Sequence, residues 1–172
     1  MIIEVDGKKF KSKGELRMYQ EYIQRWLTSP DLIIHQEAQL NDYGMSRALR
    51  ADFLICNKWN IPLAVIEVNG EQHYTDEKVK ERDKYKKEWC NENCILYLYG
   101  DWNGSILDFY RWNGIINAAD WECMEAFEEA LKVVNSLGNI NKTIEERKKD
   151  REIEKEKYVK YMMDLMDLGW II

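Results

Sequence analysis

Two apolar runs, ALRADFLIC (48–56) and PLAVIEV (62–68), lie only a few residues apart, and this spacing constrains the fold more than any other feature of the chain. Apart from their charged positions, both are apolar at odd and even residues, as expected of strands in the middle of a sheet covered on both faces. The link NKWN (57–60) is too short for a crossover, so the strands must return antiparallel. A turn centred between Trp59 and Asn60 pairs residues whose numbers sum to 119. That register sets Asp52 against Glu67, on one face, with Cβ atoms about 5 Å apart. A bulge in the hairpin would break the pairing.

The flanking sequence supplies the rest of an α/β (α+β) domain. MIIEVDGKKF has apolar residues on either side of Asp6-Gly7 and reads as a tight hairpin. Ser12-Lys13-Gly14-Glu15 is a capping-box pattern that opens a helix to about Leu27, with Leu16, Tyr19, Ile23, Trp26 and Leu27 along one face. LIIHQEAQL (32–40) is a strand, residues 41–46 a loop, 76–93 a charged helix and CILYLYG (94–100) a further strand. The 76–93 helix can serve as the crossover into that strand. Residues 101–119, rich in aromatics, form a hairpin insertion or a shaped loop. A helix follows over about 120–137, carrying Trp121, Met124, Phe127, Leu131 and Val134 on one side and stopped by Gly138-Asn139. Thr143-x-x-Glu146 opens a last helix whose second half, YVKYMMDLMDLGWII, is apolar enough to dock on the core or on a partner. The expected division is a domain over 1–138, with its core at 10–100, and a C-terminal helical extension over 139–172.

The formal net charge of −6 in 172 residues weighs against nucleic-acid binding until its distribution is considered. Residues 101–140 hold seven acidic and two basic side chains, 2 − 7 = −5, which is nearly the whole excess. The remainder is close to neutral, with basic clusters at Lys8–Lys13 and Lys78–Lys87, and a basic face with a divalent ion suffices for a polyanionic substrate. No secretory signal or membrane span is evident, which leads to the expectation of a cytoplasmic protein. Cys90 and Cys94 have a CxxxC spacing without a second ligand pair, so they and Cys56 read as free thiols.

Two facing carboxylates in an apolar sheet repel unless something neutralises them. A divalent cation does this, and two carboxylates plus phosphate and water oxygens suit Mg²⁺. The alternatives are that Asp52 or Glu67 sits at a solvated strand end, or is paired to Arg47, Arg50 or a lysine. His73, just after the 62–68 strand, is a candidate general base beside such a pair. Asp83 shares a helix face with Val79, Lys87 and Cys90 and could orient His73, although an i,i+4 pair with Lys87 would also explain it. Glu15 is divided between helix cap and site residue. Gln72, Lys86 and Lys87 are secondary candidates for phosphate contacts.

The strings KSKGELRMYQEY, RADFLIC, AVIEVNGEQHY and VKERDKYKKEWC, in this order and spacing, resemble the restriction-endonuclease-like PD-(D/E)xK superfamily. The likeness is nearer to its very-short-patch-repair-like branch, which includes homing endonucleases described by an EDxHD pattern. It spans about residues 10–100. The resemblance implies an αβββαβ core with a mixed central sheet flanked by helices, and hydrolysis of DNA phosphodiesters with Mg²⁺, or Mn²⁺ in its place. Asp52 then matches the central metal ligand, Glu67 the second acid, His73 the histidine, and Glu15 and Asp83 the outer acids. A standard site of the superfamily has lysine two residues after Glu67, whereas this chain has Asn69, which fits the histidine-using branch. Double-stranded DNA is the implied partner, in a bacterial or phage-infected cell. A homodimer or protein partner through 140–172 is a further expectation. The competing reading is a non-catalytic nucleic-acid-binding or assembly protein on the same scaffold.

Overall fold

A computed structural model describes residues 1–111 and 120–170. It is an α+β fold built on a mixed five-stranded sheet. At the N-terminus β1 (Ile3–Val5) and β2 (Lys8–Phe10) form the expected hairpin. Its two turn residues, Asp6 at φ 51° and Gly7 at φ 76°, both adopt the positive φ that matches the turn to the strand twist.

Ser12 caps the next helix by accepting the Glu15 N–H at 3.1 Å. The helix is not uniform as expected: α1 (Lys13–Met18) passes through a π-helical turn at Tyr19–Ile23 before α2 (Gln24–Trp26). It nevertheless buries Met18, Ile23 and Leu27 against the sheet.

The sheet order is β3 (Ile33–Gln39), β4 (Arg50–Cys56), β5 (Pro62–Asn69), β6 (Leu96–Trp102), β7 (Leu107–Arg111). Strand β4 runs antiparallel to both β3 and β5, and β6 lies parallel to β5. The parallel step requires a crossover, and the chain between β5 and β6 supplies it: α3 (Gln72–Thr75) and α4 (Glu77–Glu92). Phe53↔Ile66, Leu54↔Val65 and Ile55↔Ala64 hold the register that sums to 119. The one irregularity lies at Ile55/Cys56, at the turn end, so it leaves Asp52 facing Glu67. The 101–119 segment contributes β7, antiparallel to β6, and its residues 112–119 lie outside the described residues.

One face of the sheet, through Phe53, Ile55, Ile66, Leu98 and Phe109, packs against the first helix and against Phe127, Leu131 and Val134 of α5 (Asp120–Ser136). Met124, expected on the same side, is exposed, and the Trp121 side chain lies outside what is described. On the other face α4 buries Asp83, Lys86, Trp89 and Cys90. Two close approaches fix the site end of the sheet. A Cβ on Gly14 would fall 2.8 Å from Trp102 Cγ and 2.9 Å from Val68 Cγ1. Glycine there lets the start of α1 touch the ends of β5 and β6 and brings Glu15 to the acid-bearing strands.

The chain divides into two compact units, Met1–Asn141 and Lys142–Ile172. The second contains α6 (Ile144–Asp167), capped by Thr143, whose Oγ1 accepts the Glu146 N–H at 3.1 Å. No described residue of α6 is buried. Among the described residues no helix is long and apolar enough to cross a membrane.

Candidate active site

The β4–β5 ladder ends at Phe53↔Ile66, next to Asp52 and Glu67. Beyond it the carboxylates replace carbonyls as acceptors: Val68 N–H donates to Asp52 Oδ2 at 2.8 Å, and Asp52 N–H donates to Glu67 Oε2 at 3.4 Å. Glu67 is buried, while Asp52 opens in part on the cleft.

Helix α4 closes the face above them. Asp76 fixes its start by accepting the Lys78 N–H at 2.9 Å. Spacings of three and four residues then put Val79, Asp83, Lys86 and Cys90 on the sheet side. Lys86, among the secondary candidates from sequence, becomes central. Its Nζ lies 2.5 Å from Glu67 Oε1 and 3.7 Å from Asp83 Oδ1, and donates to the Arg50 carbonyl at 3.3 Å. Asp83 turns its other oxygen to His73, 2.6 Å from Nδ1. His73 stands on the short helix α3 rather than in the expected loop.

A third carboxylate comes from β3. Continuing the β3–β4 register, in which Gln36 faces Phe53 and Ala38 faces Ala51, places Glu37 opposite Asp52. Glu37 has φ 52°, a conformation that costs a non-glycine residue about 1–2 kcal/mol. Its Oε2 receives Lys11 Nζ at 2.6 Å, and its Oε1 is buried with no hydrogen-bond partner among the described residues. Ligand oxygens of Glu15, Glu37 and Asp52 all lie within 4.8 Å of one another. Glu15 also remains a cap, but of an unexpected donor: its Oε2 accepts the Lys11 N–H at 3.0 Å.

This crowding shifts protonation. Burial, followed by the charges of Glu67 and Glu15, holds the Asp52 carboxyl well above its ordinary value. Burial raises Glu15 as well, partly offset by the Lys11 N–H. For Lys86, burial pulls downward but Glu67, Asp83 and Asp52 outweigh it, so its ammonium is held more firmly than usual. Burial first, then the Glu67 charge, pushes the Cys90 thiol upward, as suits an inert interior cysteine.

All of this opens on one cleft of about 510 Å³ whose lining includes Lys11, Glu37, Arg50, Asp52, Glu67, Gln72, His73, Arg82, Asp83 and Lys86. Residues 29–99 are similar to a family described as "Protein of unknown function (DUF2726)". The matched span carries Glu37, Asp52, Glu67, His73, Asp83 and Lys86, and stops short of Glu15 on its N-terminal side. No curated protein and no solved structure matches the chain.

Of the residues singled out from sequence, Asp52, Glu67, Gln72, His73, Asp83 and Lys86 line the cleft together, and Glu15 reaches it through the carboxylate cluster. Lys87 does not line it. Its Nζ lies over the Tyr99 ring, 4.7 Å from the centroid, beside a second and smaller cavity. The i,i+4 pairing of Asp83 with Lys87 is replaced by contacts from Asp83 to His73 and Lys86. Sequence reasoning alone does not single out Glu37 or Lys11. The acid inside IIHQEAQ is the available signal, and it becomes informative only once β3 is known to lie beside β4.

Proposed function

We propose that this protein is a metal-dependent endonuclease that hydrolyses DNA phosphodiesters with the help of His73. The observation that carries the reading is that a His–Asp pair and a Lys–Glu pair meet a three-carboxylate cluster in one cleft. The order of α1, β3–β4–β5, α4 and β6, with its antiparallel then parallel steps, supports the restriction-endonuclease-like core that the sequence resembles.

The residues fit a hard divalent cation. Glu15, Glu37 and Asp52 present oxygens at ligand spacing, Glu37 keeps a buried oxygen unpartnered among the described residues, and burial together with the charges of Glu67 and Glu15 raises the Asp52 carboxyl. Asp52, Glu15 and Glu37 would hold the ion, and Glu67, the other acid expected to bind it, has its Oε1 engaged by Lys86. Bound Mg²⁺ would supply a more acidic water and offset charge on the phosphate.

The chain's own groups do the remaining work. A His73 tautomer that donates Nδ1–H to Asp83 leaves Nε2 as a proton acceptor. Lys86, kept protonated by Glu67, Asp83 and Asp52, adds fixed positive charge where the phosphate becomes more negative. Lys11, Arg50, Gln72 and Arg82 on the cleft wall are suited to hold the backbone of the substrate.

A second reading, an assembly role, is favoured by the C-terminal helix and the residues just after it, where Tyr158, Tyr161, Met163, Met166, Leu168 and Trp170 are exposed. It predicts a dimer or partner complex on size exclusion that is lost without residues 142–172, and an unchanged oligomeric state would count against it. For the nuclease reading, cleavage of supercoiled plasmid in Mg²⁺ or Mn²⁺ by wild type but not by Asp52→Asn is the test.

A further inference from the structure

We propose that the cavity behind His73 is a second phosphate-binding subsite, which receives the nucleic-acid backbone next to the bond held in the main cleft. The inference rests on the nuclease reading for the identity of its ligand. The cavity, about 240 Å³, is lined by Asn69, His73, Tyr74, Asp83 and three lysines: Lys80, Lys84 and Lys87. His73 and Asp83 line both cavities, so this pair is the wall between them.

The charge of the two cavities differs. On the main cleft four cations, Lys11, Arg50, Arg82 and Lys86, face four acids, Glu37, Asp52, Glu67 and Asp83. The lining of the second cavity itself holds three lysines and one acid, Asp83, and Asp101 stands nearby, accepting from the Tyr74 hydroxyl. The lining itself is therefore positive, while Glu77 and Glu88, outside it, pair with Lys80 and Lys84.

The lysines are also arranged to follow a strand. Positions 80, 84 and 87 repeat at i, i+4 and i+7, forming one stripe along α4 next to the stripe that carries Asp83 and Lys86. At 1.5 Å per residue the stripe is about 10 Å long, enough to reach neighbouring phosphates of a single strand. Lys80 and Lys84 make exposed pairs along their own helix, with Glu77 at 3.1 Å and Glu88 at 3.9 Å, and such pairs yield readily to a phosphate. Lys87 is half-buried over the Tyr97 and Tyr99 rings, and burial lowers its pKa despite Asp83 and Asp101.

A second observation points to a ligand independently of the lysines. Asn69 is 3% exposed, lines the cavity, and its Oδ1 has no hydrogen-bond partner among the described residues. An orphaned buried acceptor calls for a donor. A backbone phosphodiester carries no donor, so a water ordered between the phosphate and Asn69 Oδ1 would meet this acceptor.

The test is binding without cleavage: fluorescence anisotropy of a labelled DNA duplex in EDTA across a salt series. Variants are K80Q/K84Q/K87Q, the fully surface pair K80Q/K84Q, and K148Q/K155Q/K157Q on α6 as a charge-matched control, each checked by thermal melting. Each lost phosphate contact should reduce the slope of log K against log salt by about 0.9. The triple variant should thus lose two to three from the slope and bind at least about tenfold more weakly at 0.1 M salt, and the pair should lose about two. The control should match wild type. If the α4 variants bind as wild type does, or the control weakens as much as they do, the subsite is overturned. If wild type cleaves DNA and the triple variant binds unchanged, the nuclease reading stands and this inference fails. Lysine-dependent binding with no cleavage of any DNA form or of RNA in Mg²⁺ or Mn²⁺ gives the opposite outcome: the subsite stands and the nuclease reading fails. No binding by wild type at any salt removes both.

Discussion

Replacing Asp52 by Asn should stabilise the metal-free protein while removing its activity. Asp52 lies within 4.8 Å of Glu15 and Glu37 oxygens and faces Glu67. Two unit charges at that distance repel by about 3–4 kcal/mol at an effective dielectric of ~20. Lys11, 2.6 Å from Glu37, offsets part of this. Protonation of Asp52 sets a ceiling: carrying the proton to pH 7 from the ordinary value near 3.9 costs about 4 kcal/mol at ~1.4 kcal/mol per unit. The relief is therefore about 1–4 kcal/mol, or a rise of roughly 2–4 °C in Tm per kcal/mol for a chain of this size. The Val68 N–H keeps an acceptor in the Asn carbonyl, so little is lost in exchange. Because the folded-state pKa of Asp52 is raised, the native protein holds a proton that the unfolded chain has released, and wild-type stability falls as pH climbs from about 4 through the raised value. The gain from D52N should accordingly be near zero at pH 3, grow with pH, and level off once wild-type Asp52 is ionised. Urea denaturation in EDTA from pH 3 to 9 reads this directly. With Mg²⁺ the order should reverse in part: an ion at ten times its Kd adds about 1.4 kcal/mol to wild type and less to the variant. An Asn variant less stable than wild type at pH 8 in EDTA, or an equal gain at every pH, would refute the charge-crowding argument.

Four further substitutions separate the parts of the site. His73→Ala should lower the cleavage rate by about 10²–10⁴-fold, and Asp83→Asn should shift the pH profile of the rate, with near-native melting for His73→Ala. Lys86→Met leaves the buried Glu67 carboxylate without its ammonium and should cost about 3–5 kcal/mol in urea denaturation, much of it recovered in K86M/E67Q. Glu37→Asn places a residue tolerant of positive φ where glutamate is strained at 52°; Tm should rise by a few degrees while Mg²⁺-dependent stabilisation weakens.

The central hairpin is legible in the sequence because its side chains alternate with a period of two, so a short turn and two apolar runs leave one register, and Asp52 and Glu67 follow from it. The helix facing them is legible only in part. Apolar spacing places Asp83 and Cys90 on the sheet side but leaves both Lys86 and Lys87 compatible with it, since a helix face admits steps of three or four; packing decides for Lys86. Glu37 is hidden for a different reason. Its role depends on β3 lying beside β4 and on a positive φ that no local residue signal announces. The π-helical turn at Tyr19–Ile23 likewise has no counterpart in the periodicity.

Whether the carboxylate cluster serves a nuclease is decided by the fate of supercoiled plasmid incubated with the protein and Mg²⁺ or Mn²⁺, run beside Asp52→Asn. Wild type should give nicked or linear DNA, with none in EDTA and none from the variant, although the variant is folded and the more stable of the two. Absence of cleavage by wild type on single-stranded, double-stranded, branched and mismatched DNA and on RNA, in both metals, would contradict the nuclease reading.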